Sequence, residues 1–395
     1  MAKKILVIDD SALMRRVISD IINESNEYEV AAIAKDGLEG LDMIVSNPYE
    51  YSAVILDINM PKLNGLELLQ RLQKDHIEQT VIVVSTVAKE GAKETIQALE
   101  YGAFDFVTKP ENYLETKSVE FKNRIFEMLN VATNSKASIR RTSMSKTTAP
   151  VKKDLKSGRT LTSVTARTER TRSTGITPAP VRTVVHAPAK KVDGSMFTSV
   201  KTGKKIVALA CSTGGPKSLQ QVIPMLPAKL DAGVVLVQHM PAGFTASLAA
   251  RLNEMSDINV KEAADGDVIK KGWVYIAPGG KHIRIEKKGT DSVIKLSTEP
   301  PIEGLRPCAN VMYESLTSSN YDEIICVVLT GMGADGTNGI KALNKNHKNI
   351  YVIAQDEETS VVYGMPKAIA GTGLVNEVVP LNRVAEAITK NVGVS

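Results

Sequence analysis

The sequence predicts two α/β units, each a doubly wound parallel sheet, joined by a long basic segment. Three observations carry this: short apolar runs alternate with helix-period stretches up to about Leu129, the alternation stops across a stretch without aromatic residues, and it resumes at Lys204. With 395 residues and 43% hydrophobic content, the chain is long enough to bury two cores. The expected domains are residues 1–130, 131–202 and 203–395.

In the first unit, "KILVI", "YEVAAIA", "YSAVILD", "TVIVVS" and "FDFVT" read as five strands, with helical stretches such as "LEGLDMIVS", "GLELLQRLQK" and "KETIQALEYG" between them. A parallel sheet of this kind keeps its working site at the carboxyl ends of its strands. Asp9 and Asp10 follow the first strand, Asp57 closes the third, Ser85 closes the fourth, and Lys109 follows the fifth. Carboxylates gathered at one edge repel one another unless a hard cation such as Mg²⁺ lies between them, and Lys109 adds a positive charge. Together they suit a phosphoryl group on one carboxylate; singly, each Asp is equally a turn former or helix cap.

The formal net charge of +5 is unevenly placed. Between Val131 and Val200 there are fourteen Lys/Arg against three Asp/Glu, so this stretch carries +11 and the remainder −6. It has no Phe, Tyr or Trp between Phe126 and Phe197 and is crowded with Ser and Thr, so it buries too little apolar surface to offset its ordering entropy. It is expected to be a flexible linker. A nucleic-acid-binding arm is disfavoured because aromatics for base stacking and a recognition helix are both missing. No apolar run reaches the roughly 20 residues that span a bilayer, and "MAKKILVIDDS" turns acidic where a signal peptide needs a long apolar region. A cytoplasmic protein without membrane insertion is expected. Cys211, Cys308 and Cys326 are too scattered for a disulfide framework or a paired metal site, and read as reduced core thiols.

From Lys204 onward, "KIVALA", "GVVLVQ", "WVYIA", "EIICVVL", "NIYVIA" and "LVNEVV" read as strands, and "KHIRIE" with "SVIKLS" as an inserted hairpin. Helical stretches such as "KSLQQVIPML", "FTASLAARLNEM" and "GIKALNKN" separate most of them. Ser212, in "ALACSTGGPKS", follows the first of these strands, with the N–H groups of Thr213, Gly214 and Gly215 facing the same space. A serine hydroxyl is a poor nucleophile at neutral pH without a base, and the base needs an orienting partner. Of five histidines, His76 falls in the first unit, His186 in the linker and His347 in a polar turn. His239, at the end of "GVVLVQ", is favoured as the base over His282, which begins a hairpin strand. Asp335, in the glycine-rich turn "TGMGADG", follows a third parallel strand and suits the orienting role. A nucleotide-binding turn is the competing reading of "CSTGG"; the missing Gly-x-Gly-x-x-Gly spacing, with Gln238 and His239 where a ribose-binding acid belongs, favours a hydrolase.

"ILVIDDS", "LDINMPKLNGLELL", "VIVVST" and "AFDFVTKP" resemble the receiver domain of bacterial two-component response regulators over about Lys3 to Leu129. The resemblance implies a flavodoxin-like fold and a histidine kinase that phosphorylates Asp57. It implies Mg²⁺ held by Asp10, Asp57 and the carbonyl of Asn59, with Asp9 acting through water. Ser85 and Lys109 would contact the phosphoryl oxygens, and Phe106 takes the place of the switch aromatic. "STGGP", "VQHMPAGFT", "VYIAPGGKH", "LRPCANVMYESL" and "LTGMGADG", in that order behind a receiver, resemble the chemotaxis protein-glutamate methylesterase family. This implies Ser212 as nucleophile, His239 as general base and acid, Asp335 as its orienter, and backbone N–H groups of Thr213 and Met332 as oxyanion donors. No metal would be needed in the second unit. The implied substrate is methyl-esterified glutamate on membrane chemoreceptors, with receptor glutamine as a second substrate. Ala210 and Cys211 replace the Gly-Ala or similar small pair common in that family, from which only a local packing change is expected. The competing class is a response regulator whose second domain binds nucleotide or nucleic acid without hydrolysis. An unphosphorylated receiver is expected to cover the Ser212 edge.

Overall fold

The computed structural model describes residues 2–86, 88–110, 118–134 and 203–394; the linker expected at 131–202, with His186, lies almost wholly outside them. The first unit runs β1 (Lys3–Ile8), α1 (Ala12–Asn23), β2 (Tyr28–Ala34), α2 (Gly37–Ser46), β3 (Ala53–Asp57), α3 (Gly65–Lys74), β4 (Val81–Ser85), α4 (Lys89–Glu100), β5 (Asp105–Thr108) and α5 (Val119–Asn134). Its parallel sheet has the order β2-β1-β3-β4-β5, with the reversal between β1 and β3. Local chemistry sets the helix starts. Ser11 Oγ accepts from the Met14 N–H ahead of α1, and Asn64 and Glu67 form a reciprocal capping box at α3. Helix α5 continues past 130 to Asn134, because Ala132 and Thr133 are buried and Lys3 Nζ donates to Thr133 Oγ1 at 3.0 Å.

The second unit runs β6 (Lys205–Cys211), α6 (Gly215–Val222), β7 (Gly233–Gln238), α7 (Phe244–Met255), β8 (Asn259–Glu262), β9 (Trp273–Ile276), β10 (His282–Lys288), β11 (Asp291–Ser297) and α8 (Ala309–Ser315). It continues through β12 (Glu323–Val328), α9 (Thr337–Lys345), β13 (Ile350–Gln355), α10 (Met365–Ala370), β14 (Glu377–Val379) and α11 (Val384–Val392). The seven-stranded sheet has the order β14-β13-β12-β6-β7-β9-β8, all parallel; β10 and β11 form a separate antiparallel hairpin from His282↔Ser297 to Lys288↔Asp291. Strand β8 was not expected from the sequence: "NVKE" is short and polar because it lies at the sheet edge. The expected "LVNEVV" strand narrows to the three residues of β14 at the other edge.

Every residue of β6, β7 and β12 is buried, as two-sided cover by helices requires. The chain order reverses here: β7 lies on one side of β6 and β12 on the other, so the crevice at their carboxyl ends is a topological switch point. Two left-handed glycines open the helices beside it, Gly214 (φ 76°) before α6 and Gly336 (φ 94°) before α9. A side chain at Gly214 would also meet Val361 at 2.6 Å. Beneath the sheet Tyr313, fully buried on α8, donates toward the carbonyls of Ala208 and Val327 at 3.2 and 3.0 Å, tying β6 and β12 to that helix.

The receiver packs its α4–β5–α5 side on the second unit. Phe106 of β5 stacks on Phe244 of α7 with centroids 4.7 Å apart, and Arg251 of α7 donates twice to the Glu100 carboxylate of α4 at 3.1 and 2.7 Å. Tyr313→Phe removes the hydroxyl that serves two buried carbonyls. It is expected to lower stability by about 1–3 kcal/mol, read as a shift in the denaturant midpoint of the second unit.

Candidate active site at the switch point

Ser212 follows β6, His239 follows β7, and the 330–336 turn that carries Asp335 follows β12, so three adjacent strands deliver the three side chains to one crevice. Main-chain bonds hold the ends together. The Ser212 N–H donates to the Thr330 carbonyl at 3.0 Å, and the His239 N–H to the Cys211 carbonyl at 3.2 Å. Thr330 Oγ1 donates toward the Thr213 carbonyl at 3.0 Å. Gly331 passes so close that a β-carbon there would lie 2.9 Å from Ser212 Cβ. Met332 follows at once in this turn and is exposed.

His239 Nε2 pairs with Asp335 Oδ2 at 2.8 Å. The far nitrogen of the ring is therefore the one anchored. Neutral His239 carries its proton on Nε2, donating to the carboxylate. The Ser212 hydroxyl and the His239 ring line one cavity of about 40 Å³ without a hydrogen bond between them.

Asp335 is 5% exposed and is almost surrounded by donors. Besides His239, the Ala309 N–H reaches Oδ2 at 2.6 Å, while the Asn310 N–H (2.9 Å), the Gly336 N–H (2.9 Å) and the Cys308 thiol (3.2 Å) reach Oδ1. Burial alone would raise this carboxyl. The bond to His239, its charge and the two α8 N–H groups outweigh burial and bring it down to about 2. Asn310 Oδ1 in turn accepts from the N–H groups of Gly336 and Gly339 at 3.0 and 2.8 Å, fixing the loop that carries Asp335. Burial, then the Asp335 charge, push the Cys308 thiol up to about 12, so it stays a donor.

Sequence reasoning missed this cradle. "LRPCANVMYESL" was legible only as part of the family resemblance, since Cys308 to Asn310 lie more than twenty residues before the aspartate they hold. His282, the rival base, is remote from this arrangement: it is fully buried in the hairpin with Nε2 on the Pro300 carbonyl at 3.1 Å. Cys211 was expected to be only a packed neighbour; instead its thiol donates to Gln238 Oε1 at 3.0 Å.

In the receiver, Asp9, Asp10 and Asp57 bring carboxylate oxygens within 4.8 Å of one another, an all-oxygen donor set that fits a hard divalent cation. Lys109 Nζ lies 3.0 Å from Asp9 and 2.8 Å from Asp57. Burial raises the Asp57 carboxyl above its ordinary range despite the nearby Lys109 charge. Ser85 Oγ donates to the Gly91 carbonyl at 3.2 Å, and Asn59 directs its side-chain amide to Glu94 at 3.0 Å. Asp105, Phe106, Thr108 and Arg124 of the receiver line the same cavity as Ser212, Thr213 and His239.

Residues 207–388 match the model of the CheB methylesterase family, and residues 5–118 that of the response regulator receiver domain. A protein-glutamate methylesterase/protein-glutamine glutaminase of Syntrophomonas wolfei is 36% identical, with 98% of each chain covered. The chain belongs to the CheB methylesterase family. A Pyrococcus horikoshii protein of the same description is 39% identical over 98% of this chain and 93% of its own. The crystal structure of the Thermotoga maritima CheB methylesterase catalytic domain is 40% identical, covering 48% of this chain and all of that one, with a TM-score of 0.47. A receiver thus precedes a CheB methylesterase domain, and the reading of the second unit as a domain that binds nucleotide or nucleic acid without hydrolysis is set aside.

A carboxyl held below its ordinary range stabilises the fold above that range and loses the contribution as pH falls toward its own pKa. Asp335→Asn is therefore expected to be less stable than the natural chain at pH 5. The gap should narrow between pH 4 and 2, as measured by thermal unfolding of both proteins at each pH.

Proposed function

We propose that this CheB-family chain hydrolyses methyl esters of glutamate side chains on chemoreceptors, and deamidates receptor glutamines, through Ser212, His239 and Asp335. The observation that carries the reading is the Asp335–His239 bond beside Ser212 at the meeting point of β6, β7 and β12. His239 Nδ1 takes the proton of Ser212 as the hydroxyl attacks the glutamyl carbonyl. The oxyanion that forms is held by the N–H groups of Thr213 and Met332, from the loops that follow β6 and β12. His239 returns the proton to departing methanol, or to ammonia from an amide, and then activates the water that releases the acyl group. Asp335 keeps the imidazole in one tautomer and stabilises the imidazolium. This half uses side chains and backbone amides alone.

The receiver supplies control. Asp57 accepts the phosphoryl group from a histidine kinase of the chemotaxis pathway. Asp10, Asp57 and the Asn59 carbonyl would hold Mg²⁺, with Asp9 acting through water; when bound, the cation neutralises phosphoryl charge. Ser85 and Lys109 then turn to the phosphoryl oxygens, and Phe106, already stacked on Phe244, carries the change to the interface. The domain boundaries expected at 1–130, 131–202 and 203–395 belong to this proposal with the first unit extended to Asn134, the end of α5, the basic middle segment as a tether and no nucleic-acid partner. None of the described helices is long and apolar enough to cross a membrane. The reading adds that the enzyme works in the cytoplasm on receptor domains exposed there.

Ser212→Ala is expected to bring methanol release from methylated receptors to background and to abolish labelling by a serine-directed phosphonate. A variant that kept the natural rate would overturn the assignment.

Asp105 makes the docked state sensitive to pH. Burial pushes its carboxyl up to about 6, against the opposing pull of Arg124 and of the Phe106, Gly214 and Thr213 donors. A raised carboxyl favours the docked form at low pH, and that contribution is lost as pH rises through about 6. The ratio of unphosphorylated to phosphorylated activity is thus expected to be higher at pH 7 than at pH 5. Asp105→Asn should flatten the ratio; taking a ratio cancels the titration of the catalytic groups themselves.

A further inference from the structure

Gln238 ends β7, where a polar side chain at a strand's carboxyl end ordinarily faces the crevice. It turns inward instead and is 2% exposed. Its Nε2 donates to the Ser212 carbonyl at 3.0 Å and to the His239 carbonyl at 3.1 Å. Carbonyl oxygens only accept, so the amide nitrogen must face them and Oε1 must face away. Oε1 then meets the Cys211 thiol at 3.0 Å. That contact requires a protonated sulfur, and complete burial raises the thiol's pKa far from any physiological titration. The three partners agree on one orientation of the amide. Helix α6 is cut to fit it: a β-carbon at Gly215 would lie 2.0 Å from Gln238 Oε1.

The consequence reaches the oxyanion donor. The Ser212 carbonyl and the Thr213 N–H belong to one trans, planar peptide unit, so they point in opposite directions. Holding the carbonyl inward on Gln238 Nε2, with a second bond from the Gly215 N–H at 2.7 Å, aims the Thr213 N–H outward into the crevice. The same Nε2 holds the carbonyl of His239 and so fixes the turn that carries the base.

We infer that Gln238, oriented by the Cys211 thiol, is a positioning residue for the hydrolysis: it locks the Ser212–Thr213 peptide in the orientation that presents the oxyanion donor and ties that peptide to the His239 turn. This rests on the proposed roles of Ser212, Thr213 and His239. Cys211 stands where the family resemblance leads one to expect one member of a Gly-Ala or similar small pair. Its part is to hold Gln238 Oε1 and so keep the nitrogen on the two carbonyls.

The test uses the full chain with its receiver phosphorylated by acetyl phosphate and Mg²⁺, a methylated receptor fragment as substrate, and a fluorophosphonate as probe of Ser212. Gln238→Met keeps an unbranched buried side chain and removes the donor. It is expected to lower kcat about 10- to 100-fold, less than the roughly 100- to 1,000-fold of losing an oxyanion donor outright because the donor is misaimed and not removed, with KM within about twofold and Ser212 labelling slowed in parallel. Cys211→Ala should lower kcat about threefold, and Cys211→Ser, which restores a donor, should recover most of that loss; this pair decides the matter if Gln238→Met does not fold. A Gln238→Met enzyme with natural kcat, a loss confined to KM, or a Cys211→Ser variant no better than Cys211→Ala would overturn the inference. Should Ser212→Ala itself remain active, the catalytic assignment fails rather than the role of Gln238 alone.

Discussion

A strand buried on both faces can place polar chemistry only at its ends. Strand β6 meets that condition completely, with β7 and β12 hydrogen-bonded on either side and helices above and below. Its last apolar residue, Cys211, is followed at once by Ser212, and the neighbouring strands end level with it in His239 and the Thr330–Asp335 turn. The site is therefore built by termination: the candidate catalytic side chains lie where the ladder stops and the backbone is free to turn. The receiver obeys the same rule at its own reversal, where Asp9 and Asp10 leave β1 beside Asp57 at the end of β3.

This rule made most of the fold and the outline of the site legible from sequence. Ser212, His239 and Asp335 could be brought to one edge because each follows a buried apolar run, and His282 could be subordinated because its run begins with it. Two kinds of information were not legible. One is contact across sequence: Cys308, Ala309 and Asn310 cradle Asp335 by backbone and thiol donors, and backbone donors have no residue-type signature. The other is side-chain direction. Gln238 and Cys211 were visible, but nothing in their spacing says that the amide folds under the turn rather than over it. Strand β8 was missed for a simpler reason, since four half-polar residues at a sheet edge lack the apolar signal that buried strands carry.

The interface between the two units uses little specialised chemistry. An aromatic stack, a doubly bonded Arg251–Glu100 pair and one buried carboxyl lie where the receiver meets the second unit, beside the cavity that Ser212 lines. The partly exposed ion pair contributes modestly, on the order of 1 kcal/mol or less. The apolar contact and the desolvated carboxyl oppose one another, since burying Phe106 against Phe244 favours docking and burying an ionised Asp105 disfavours it. A balance between opposed terms of this size is what a population of closed and open molecules requires.

The cavity of about 40 Å³ beside the imidazole has walls from both units: Ser212, Thr213, Gln238, His239 and Pro241 on one side, Asp105, Phe106, Thr108 and Arg124 on the other. Its small size is therefore a property of the docked molecule and not of the second unit alone. Moving the receiver away would remove part of the wall and leave the Asp335–His239 bond as it is, because every donor to that carboxylate lies in the second unit. Docking thus denies space to a substrate without disassembling the residues that would act on it.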